Sequence, residues 1–234
     1  MEDKRNKFIP ENLCYYLSVK SLPKIIKSGY FCVSNIKEMN DLDEGRGLSE
    51  EEKKKIFCLC LNAGKHENVP LWYLYSGIKG DGIRLEFTRN KIEKIIEEID
   101  TVYCCNEDFS LRKRKKPFKN KIDFDIEFDW ICYKNTNGDK YFYKNKWVSD
   151  TSLGFFPKKY FVKDCAWRFE NEFRIIFKFK KDPGCSKIGI PNLVKIIKSI
   201  SIRTAPEADE SIRTKLEEQG LKKVHMSNLN CHMK

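Results

Sequence analysis

Strict alternation of apolar and acidic residues over 122–130 constrains the fold of this chain most strongly. The segment reads Ile-Asp-Phe-Asp-Ile-Glu-Phe-Asp-Trp. Successive side chains of a β-strand point to opposite faces, so this pattern predicts a strand with one apolar and one acidic face. Four acids on one face are more typical of an exposed sheet edge protected from aggregation than of a metal site.

Several other segments show the periodicity of short helices and strands. Strands are predicted over 13–19, 30–34, 56–61, 83–87, 101–105, 169–179, 195–203 and 224–227. Helices are predicted over 21–29, 70–77, 92–99 and 206–219, with Ser21 as a cap and with Gly29 and Gly220 as terminators. Alternation within 83–87 predicts a half-buried strand. Asn137-Gly138 predicts a β-hairpin that pairs 130–133 with 141–147.

This mixture of helices and strands is typical of the α+β class. The chain has 234 residues, of which 41% are hydrophobic, and it has neither internal repeats nor a linker rich in Pro, Gly or Ser. We therefore predict a single domain over 1–234, with a core at about 12–105 and 160–229. A basic arm and the β-hairpin, at about 106–159, would form an insertion that decorates this core.

The chain is basic, with 45 Lys and Arg residues against 34 Asp and Glu residues and a net charge of +11. Such a charge attracts polyanions without identifying one. Seven basic residues and no acid occur within 112–121, which predicts an exposed arm that either contacts DNA or RNA phosphates or is merely solvated. The candidate nucleic-acid-binding residues are Arg112, Lys113, Arg114, Lys115 and Lys116. Lysines interrupt every long apolar stretch, so we expect a cytoplasmic protein with no membrane partner.

Ten cysteines lie in or beside apolar runs, which predicts reduced and mostly buried thiols. The sequence contains no Cys-x-x-Cys pair, and therefore no metal is expected.

The segment 167–177, Trp-Arg-Phe-Glu-Asn-Glu-Phe-Arg-Ile-Ile-Phe, is the strongest candidate for chemistry. On a strand, alternation would place Glu170, Glu172 and Arg174 together on one face. Two carboxylates beside a guanidinium form either a polar site or a surface ion-pair ladder, and both interpretations stay open on the strand pattern alone.

A second candidate segment is 71–77, Leu-Trp-Tyr-Leu-Tyr-Ser-Gly, followed by Gly80 and Gly82. Aromatic rings beside open backbone are suited to a flat ligand, although aromatic residues at this spacing are more often core. The glycines do not complete a dinucleotide-binding motif.

Four separated pieces together resemble an uncharacterised bacterial family of unknown function. They are Tyr15-Tyr-Leu with Ser34-Asn-Ile-Lys-Glu-Met-Asn-Asp41; Leu71-Trp-Tyr-Leu-Tyr75 with Gly82-Ile-Arg-Leu-Glu-Phe87; Lys163-Asp-Cys-Ala-Trp-Arg-Phe-Glu-Asn-Glu-Phe-Arg174; and the terminal strand, helix and strand. The most specific piece is Trp-x-x-Glu-x-Glu-x-Arg. Leu17 stands where members of that family commonly have an Arg.

The segment Leu22–Ser34 and the later Glu-x-Glu are similar to those of ADP-ribosyltransferases, including toxins that modify nucleic acids. The resemblance implies a split mixed or antiparallel sheet flanked by helices, with NAD as the substrate. It also implies that Glu172 binds the nicotinamide ribose and stabilises oxocarbenium-like charge, while Glu170 positions or deprotonates the acceptor. The implied dinucleotide-binding residues are Tyr16, Ser34, Asn40, Asp41, Trp72, Tyr75 and Arg174. A toxin or a phage-defence effector is the implied biological role.

Two alternatives remain open at this point. One is a nucleotide-binding or nucleic-acid-binding module without catalysis, whose affinity would fall steeply with salt. The other is a metal-dependent nuclease that would use Asp41, Glu170 and Glu172 as oxygen ligands.

Overall fold

A computed structural model of the chain describes residues 9–41, 44–76, 81–106, 108, 110–112, 116–149, 157–191 and 193–229. The strands are β1 Asn12–Ser18, β2 Phe31–Asn35, β3 Ile56–Ala63, β4 Gly82–Thr88, β5 Thr101–Cys105, β6 Phe118–Lys119, β7 Phe124–Trp130, β8 Cys132–Lys134, β9 Lys140–Tyr143, β10 Lys146–Ser149, β11 Val162–Asp164, β12 Glu172–Phe179, β13 Lys187–Ile190, β14 Ser201–Thr204 and β15 Val224–His225. The α-helices are α1 Ser21–Ser28, α2 Glu50–Lys53, α3 Val69–Leu71, α4 Arg89–Glu98, α5 Leu193–Ile197 and α6 Glu210–Glu218. The predicted mixture of helices and strands is confirmed.

Eleven strands of the described chain form one large sheet in the order β15-β14-β4-β1-β3-β2-β13-β5-β6, with β12 paired to β3 and β7 paired to β12. These pairs are antiparallel except for β14 with β15. Strand β3 pairs with β12 along one edge, over 56–62. On its other edge it pairs with β1 at 62–63 and with β2 at 57–58. Strands β1 and β2 therefore diverge, and the sheet is split opposite 59–61 of β3.

A smaller four-stranded sheet has the order β10-β9-β8-β11. The predicted hairpin pairs Tyr133 with Phe142, and β8 also pairs in parallel with β11. A further turn at Lys144 and Asn145, both with positive φ, places Trp147 on β10. The segment predicted as an insertion thus forms most of this sheet, but it also contributes β6 and β7 to the large one.

The main core lies against the large sheet and the helices that cover it. Leu22 and Ile25 of α1 are buried there, and the helix ends at Gly29, whose φ of 76° is the left-handed conformation predicted for a glycine terminator. Ser21 does not cap this helix, because it lies inside the first turn and the preceding Lys20 makes no side-chain cap hydrogen bond.

Three predictions about strands are wrong. The strand predicted over 169–179 begins only at Glu172, because a 3-10 helix occupies Cys165–Glu170. The segment 195–203 is divided between α5 and β14, since the buried Leu193, Ile196, Ile197 and Ile200 have helical spacing. Strand β4 is buried on both faces rather than half-buried, because Ile83, Leu85 and Phe87 pack into the main core and Arg84 on the opposite face is buried as well.

Strand β7 pairs only with β12 among the described strands and therefore lies at an edge of the large sheet, as predicted, while its acidic face is covered in part by its surroundings. Glu127 accepts hydrogen bonds from Lys158 and Tyr160, and Asp129 accepts one from Tyr143. Ile122 lies outside the strand and is exposed.

The prediction of reduced thiols is wrong for one pair of cysteines. Cys104 on β5 and Cys185 form a disulfide across 81 residues. The other cysteines of the described chain form no disulfide: Cys14, Cys32, Cys58, Cys60, Cys105, Cys132 and Cys165.

Candidate active site

A cavity of about 240 Å³ fills the split between β1 and β2. Its walls come from both strands, from the stretch of β3 that faces the split and from the start of β12 with the segment before it. Its polar lining includes Tyr16, Ser34, Asn40, Asn62, Tyr75, Lys163, Glu170 and Glu172. The divergence of the two strands thus places these side chains around one opening.

Glu172 is the first residue of β12 and is buried. Asn171 before it has a φ of 42°, a left-handed conformation that Asn tolerates better than most residues. The resulting bend is fixed to β3, because Ala63 N–H donates to the Asn171 carbonyl at 2.8 Å and Asn62 Nδ2 donates to the Glu170 carbonyl at 2.6 Å. Two successive glutamates of the motif therefore meet at the cavity although only one lies on the strand.

Arg174 holds the Glu172 carboxylate in the ionised form. Arg174 Nε lies 2.6 Å from Glu172 Oε1, and Nη2 lies 3.0 Å from Oε2. Burial alone would raise the pKa of Glu172, but the charges of Arg174 and Lys163 outweigh it and lower that pKa to about 2. A permanent negative charge therefore lies at the cavity wall.

Glu170, at the end of the 3-10 helix, has a pKa that is shifted in the opposite direction. Its Oε2 accepts from Lys163 Nζ at 2.6 Å, and its Oε1 accepts from Tyr75 Oη at 2.5 Å. Burial and, next, the charge of Glu172 raise the pKa of Glu170 despite these two donors. The two carboxyl groups consequently titrate in different pH ranges.

Two residues without a predicted role complete this cluster. Lys163 on β11 contacts Glu172 Oε2 at 3.4 Å and Glu44 Oε2 at 3.5 Å. Glu44 also accepts from Arg174 Nη1 at 2.5 Å. Both residues are buried, and the cluster in the described chain thus combines three carboxylates with two cations. Buried ion clusters are tolerated only when their members are mutually paired, as they are here.

The predicted roles of Arg174 and Trp72 at a ligand are not matched by their positions. Arg174 is fully buried and donates to Glu172, Glu44 and the Tyr160 carbonyl. Trp72 is 1% exposed, and its ring packs edge-on against Tyr16 with a centroid distance of 4.9 Å. Arg174 therefore orients a carboxylate, whereas Trp72 belongs to the core behind the cavity.

Four other predicted residues do line the cavity, namely Tyr16, Ser34, Asn40 and Tyr75. Asp41 lies next to Asn40 in the chain and is only partly exposed. Its side chain is not among the cavity-lining groups of the described residues. Gly77 and Gly80, the glycines that follow the aromatic segment, lie outside the described residues.

The basic arm is described at Arg112 on one end and over 116–121 on the other, where Phe118–Lys119 form β6 of the large sheet. Arg112 is largely accessible and donates from Nη1 to the Gly184 carbonyl at 3.0 Å. Lys116 is exposed. Lys113, Arg114 and Lys115 lie outside the described residues. Neither described end lines the cavity.

Leu17, which replaces the commonly basic position of the first strand, packs into the main core. A guanidinium nevertheless lies close by, because Arg84 on β4 is paired with Tyr16 and its carbon Cζ lies 5.8 Å from the centre of that ring.

Within the described ranges, no group of three or more His, Cys, Asp or Glu side chains is arranged to hold a metal ion. No described helix is long and apolar enough to cross a membrane.

No family model matches this chain, and no curated protein matches it either. Among solved structures, the chain is similar to DarT of Thermus sp. 2.9 in complex with NAD+. The two chains are 9% identical, and the alignment covers 93% of this chain and 96% of that chain with a TM-score of 0.39.

Proposed function

We propose that this protein is an NAD-consuming ADP-ribosyltransferase, with Glu172 and Glu170 as its catalytic pair. The observation that carries the proposal is the meeting of two buried carboxyl groups at one cavity wall, in surroundings that shift their pKa values in opposite directions. Pairs of titratable groups whose environments separate their pKa values are typical of acid–base catalysis. Cleavage of a glycosidic bond needs such a pair, one group to stabilise positive charge and one to move a proton.

Glu172 has the properties required for the first of these tasks. When the bond between nicotinamide and ribose breaks, the electron pair leaves with nicotinamide and positive charge develops on the ribose. A carboxylate held ionised by Arg174 stabilises that charge without having to reorganise, which is the general basis of electrostatic catalysis.

Glu170 is suited to the second task. Its raised pKa makes it a stronger base than an ordinary glutamate once it is ionised. The acceptor would attack the ribose carbon that nicotinamide leaves and would lose its proton to Glu170. Lys163 and Tyr75 would hold the Glu170 carboxyl group in place during this transfer.

The size of the cavity is compatible with one end of a dinucleotide. Ligand pockets commonly have volumes of about 300–1,000 Å³, and this cavity has about 240 Å³. The nicotinamide and its ribose would therefore enter the split beside the glutamates, while the remaining part of NAD would extend outside. Nucleic acid is the acceptor class we propose, since the net charge of +11 attracts polyanions.

A second candidate is a nucleotide-binding module without catalysis. The extensive pairing within the Glu44, Lys163 and Arg174 cluster favours it, because such a network also serves to fix a rigid wall. The nuclease alternative is less well supported, since Arg174 and Lys163 already contact the Glu172 oxygens that a metal ion would need.

The proposal is tested by incubating the protein with NAD and with single-stranded or double-stranded DNA or RNA. Mass spectrometry then detects whether ADP-ribose has been transferred to the nucleic acid. The wild type should add the mass of ADP-ribose to one of these acceptors. Glu172→Gln and Glu170→Gln should lower the yield at least 100-fold, whereas Glu97→Gln, at an exposed position of α4, should leave it unchanged. Nucleotide binding that survives both active-site substitutions, without transfer by the wild type, would instead favour the binding module.

A further inference from the structure

A second cavity lies beside the candidate active site on the same face of the large sheet. Its volume is about 380 Å³, and Cys14 on β1 lines both cavities. Cross-strand pairing places Cys14 opposite Glu86 and Tyr16 opposite Arg84. Directly opposed residues project from the same face of a sheet. The two cavities are therefore neighbours, with Tyr16 lining the first and Arg84 lining the second.

Arg84 is an unusual residue for a cavity wall because only 1% of it is exposed. Its Nη2 donates to the carbonyl groups of Gly64 and Lys65 at 3.2 and 3.0 Å, and its Nη1 lies 3.2 Å from Glu86. Its Nε is buried and has no oxygen acceptor within hydrogen-bonding distance among the described residues, although the guanidinium group also interacts with the Cys14 thiol. A buried donor without an acceptor is unfavourable, so a ligand oxygen at this position would remove a cost that the free protein carries.

The charged groups around this cavity favour an anion. Arg84, Arg203 and Lys65 line it, together with the carboxylates of Glu67 and Glu86. Glu86 is already held by both arginines, with Arg203 Nε at 3.0 Å. The positive groups therefore exceed the negative ones by one, and the exposed Lys65 lies at the solvent side.

The second carboxylate is likewise engaged by groups of the protein. Glu67 accepts from Ser227 Oγ at 2.6 Å, from the Asn228 N–H at 2.8 Å and from Trp72 Nε1 at 3.3 Å. Its charge is thus directed towards the C-terminal segment and the aromatic core. An anion in the cavity would not meet an unpaired carboxylate.

We propose that this second cavity binds a phosphate-bearing small molecule, with Arg84 Nε as the buried donor and Lys65 as the cation at the entrance. Phosphate groups offer several acceptor oxygens, and guanidinium groups bind them with charge-assisted hydrogen bonds. Two sources share this chemistry. They are the phosphates of a dinucleotide whose other end occupies the first cavity, and a separate phosphorylated compound. The proposal itself does not depend on transferase activity.

Calorimetric titration with inorganic pyrophosphate tests the site directly. The folded wild type should bind pyrophosphate. Arg84→Lys, which keeps the charge and removes Nε, should weaken binding about tenfold or more, as expected for a lost charge-assisted hydrogen bond. Lys65 is exposed, so Lys65→Glu should not affect folding. This substitution should also weaken pyrophosphate binding about tenfold.

The control is Arg213→Gln, since Arg213 is exposed on α6 and pairs with Glu210 and Glu217 of the same helix. This variant should bind pyrophosphate like the wild type. Absence of pyrophosphate binding by folded wild type would overturn the proposal. So would a Lys65→Glu protein that binds as tightly as the wild type.

A second titration, with NAD at saturating concentration, identifies the source of the phosphate. Competition between NAD and pyrophosphate would support the site and would show that it binds the phosphates of the dinucleotide. Unchanged pyrophosphate binding supports the site and assigns it to a separate compound. Because pyrophosphate binding needs no bond cleavage, failure of this site and failure of the proposed transferase activity can be distinguished.

Discussion

Lys163 Nζ lies 2.6 Å from Glu170 Oε2 and joins this carboxylate to the buried pair formed by Glu172 and Arg174. The two residues come from different parts of the fold. Lys163 lies on β11 of the small sheet, and Glu170 ends the 3-10 helix before β12 of the large sheet. Tyr133 of the small sheet adds a second connection, since the Glu172 N–H donates to its Oη at 2.7 Å. The small sheet therefore contributes residues to the candidate active site and is not only an addition to the core.

Replacement of Lys163 should destabilise the protein strongly. Burial lowers the pKa of Lys163, but the surrounding carboxylates, above all Glu172, raise it by more. Lys163 therefore remains charged. Lys163→Met would leave Glu44, Glu170 and Glu172 with only one cation. We expect a loss of about 3–5 kcal/mol in the free energy of unfolding, measured with urea.

Lys158→Met provides the matched control for that substitution. Lys158 also pairs with a carboxylate, Glu127, at 2.5 Å, but its side chain is 56% exposed. Its replacement should cost less than about 1 kcal/mol. Equal losses for the two variants would contradict the importance assigned to the buried cluster.

Tyr75→Phe should alter proton transfer without altering the fold. The substitution removes the hydroxyl that donates to Glu170 Oε1, a bond that favours the ionised carboxylate. The pKa of Glu170 should therefore rise further, and the acidic limb of the pH–rate profile should move to higher pH. Tyr143→Phe, which removes a comparable contact with Asp129 away from the cavity, should leave the profile in place. An unshifted profile in Tyr75→Phe would exclude Glu170 as the group that produces this limb.

Stability should depend on acid pH through Glu172. Its pKa is about 2 in the folded protein and 4.5 for an unperturbed glutamate, so the folded state favours the ionised form. The resulting stabilisation is fully present above about pH 4.5 and is lost as the pH falls towards 2. In denaturant titrations, the stability difference between wild type and Glu172→Gln should shrink over this interval. A difference that stays constant would mean that Glu172 has an ordinary pKa.

Trp72→Ala should affect stability more than ligand binding. The side chain is buried against Tyr16 and Leu71, so its removal should cost about 3–5 kcal/mol. Trp147→Ala is the control, because Trp147 is 45% exposed and should cost far less. If folded Trp72→Ala had wild-type stability and bound NAD much more weakly, Trp72 would be a ligand-binding residue instead.

Local sequence patterns were sufficient for much of the fold. The succession of β1, α1 and β2 was predictable because each element has its own periodicity and because Gly29 marks the end of the helix. The strand predicted over 195–203 was wrong, because short apolar runs there fit both the period of a helix and that of a strand. Helical spacing that begins at Leu193, before the predicted strand, distinguishes them.

The candidate site was predictable only in part. Glu170 and Glu172 were identified from their motif, but a continuous strand was predicted over 169–179, and the left-handed Asn171 that brings the two glutamates together was not predicted. Glu44 and Arg174 are 130 residues apart, and their contact depends on how β12 and the turn at Glu44 pack. Contacts of this kind follow from tertiary structure and leave no periodic signal in the sequence.

Release of nicotinamide from NAD, measured with purified wild type and Glu172→Gln at equal concentrations, tests the central claim most directly. We expect wild-type release that is stimulated by DNA or RNA, with a loss of at least 100-fold in Glu172→Gln. Circular dichroism would establish that both proteins are folded. Absence of release by the folded wild type under every condition, or equal release by the variant, would contradict the assignment of Glu172 as a catalytic carboxylate.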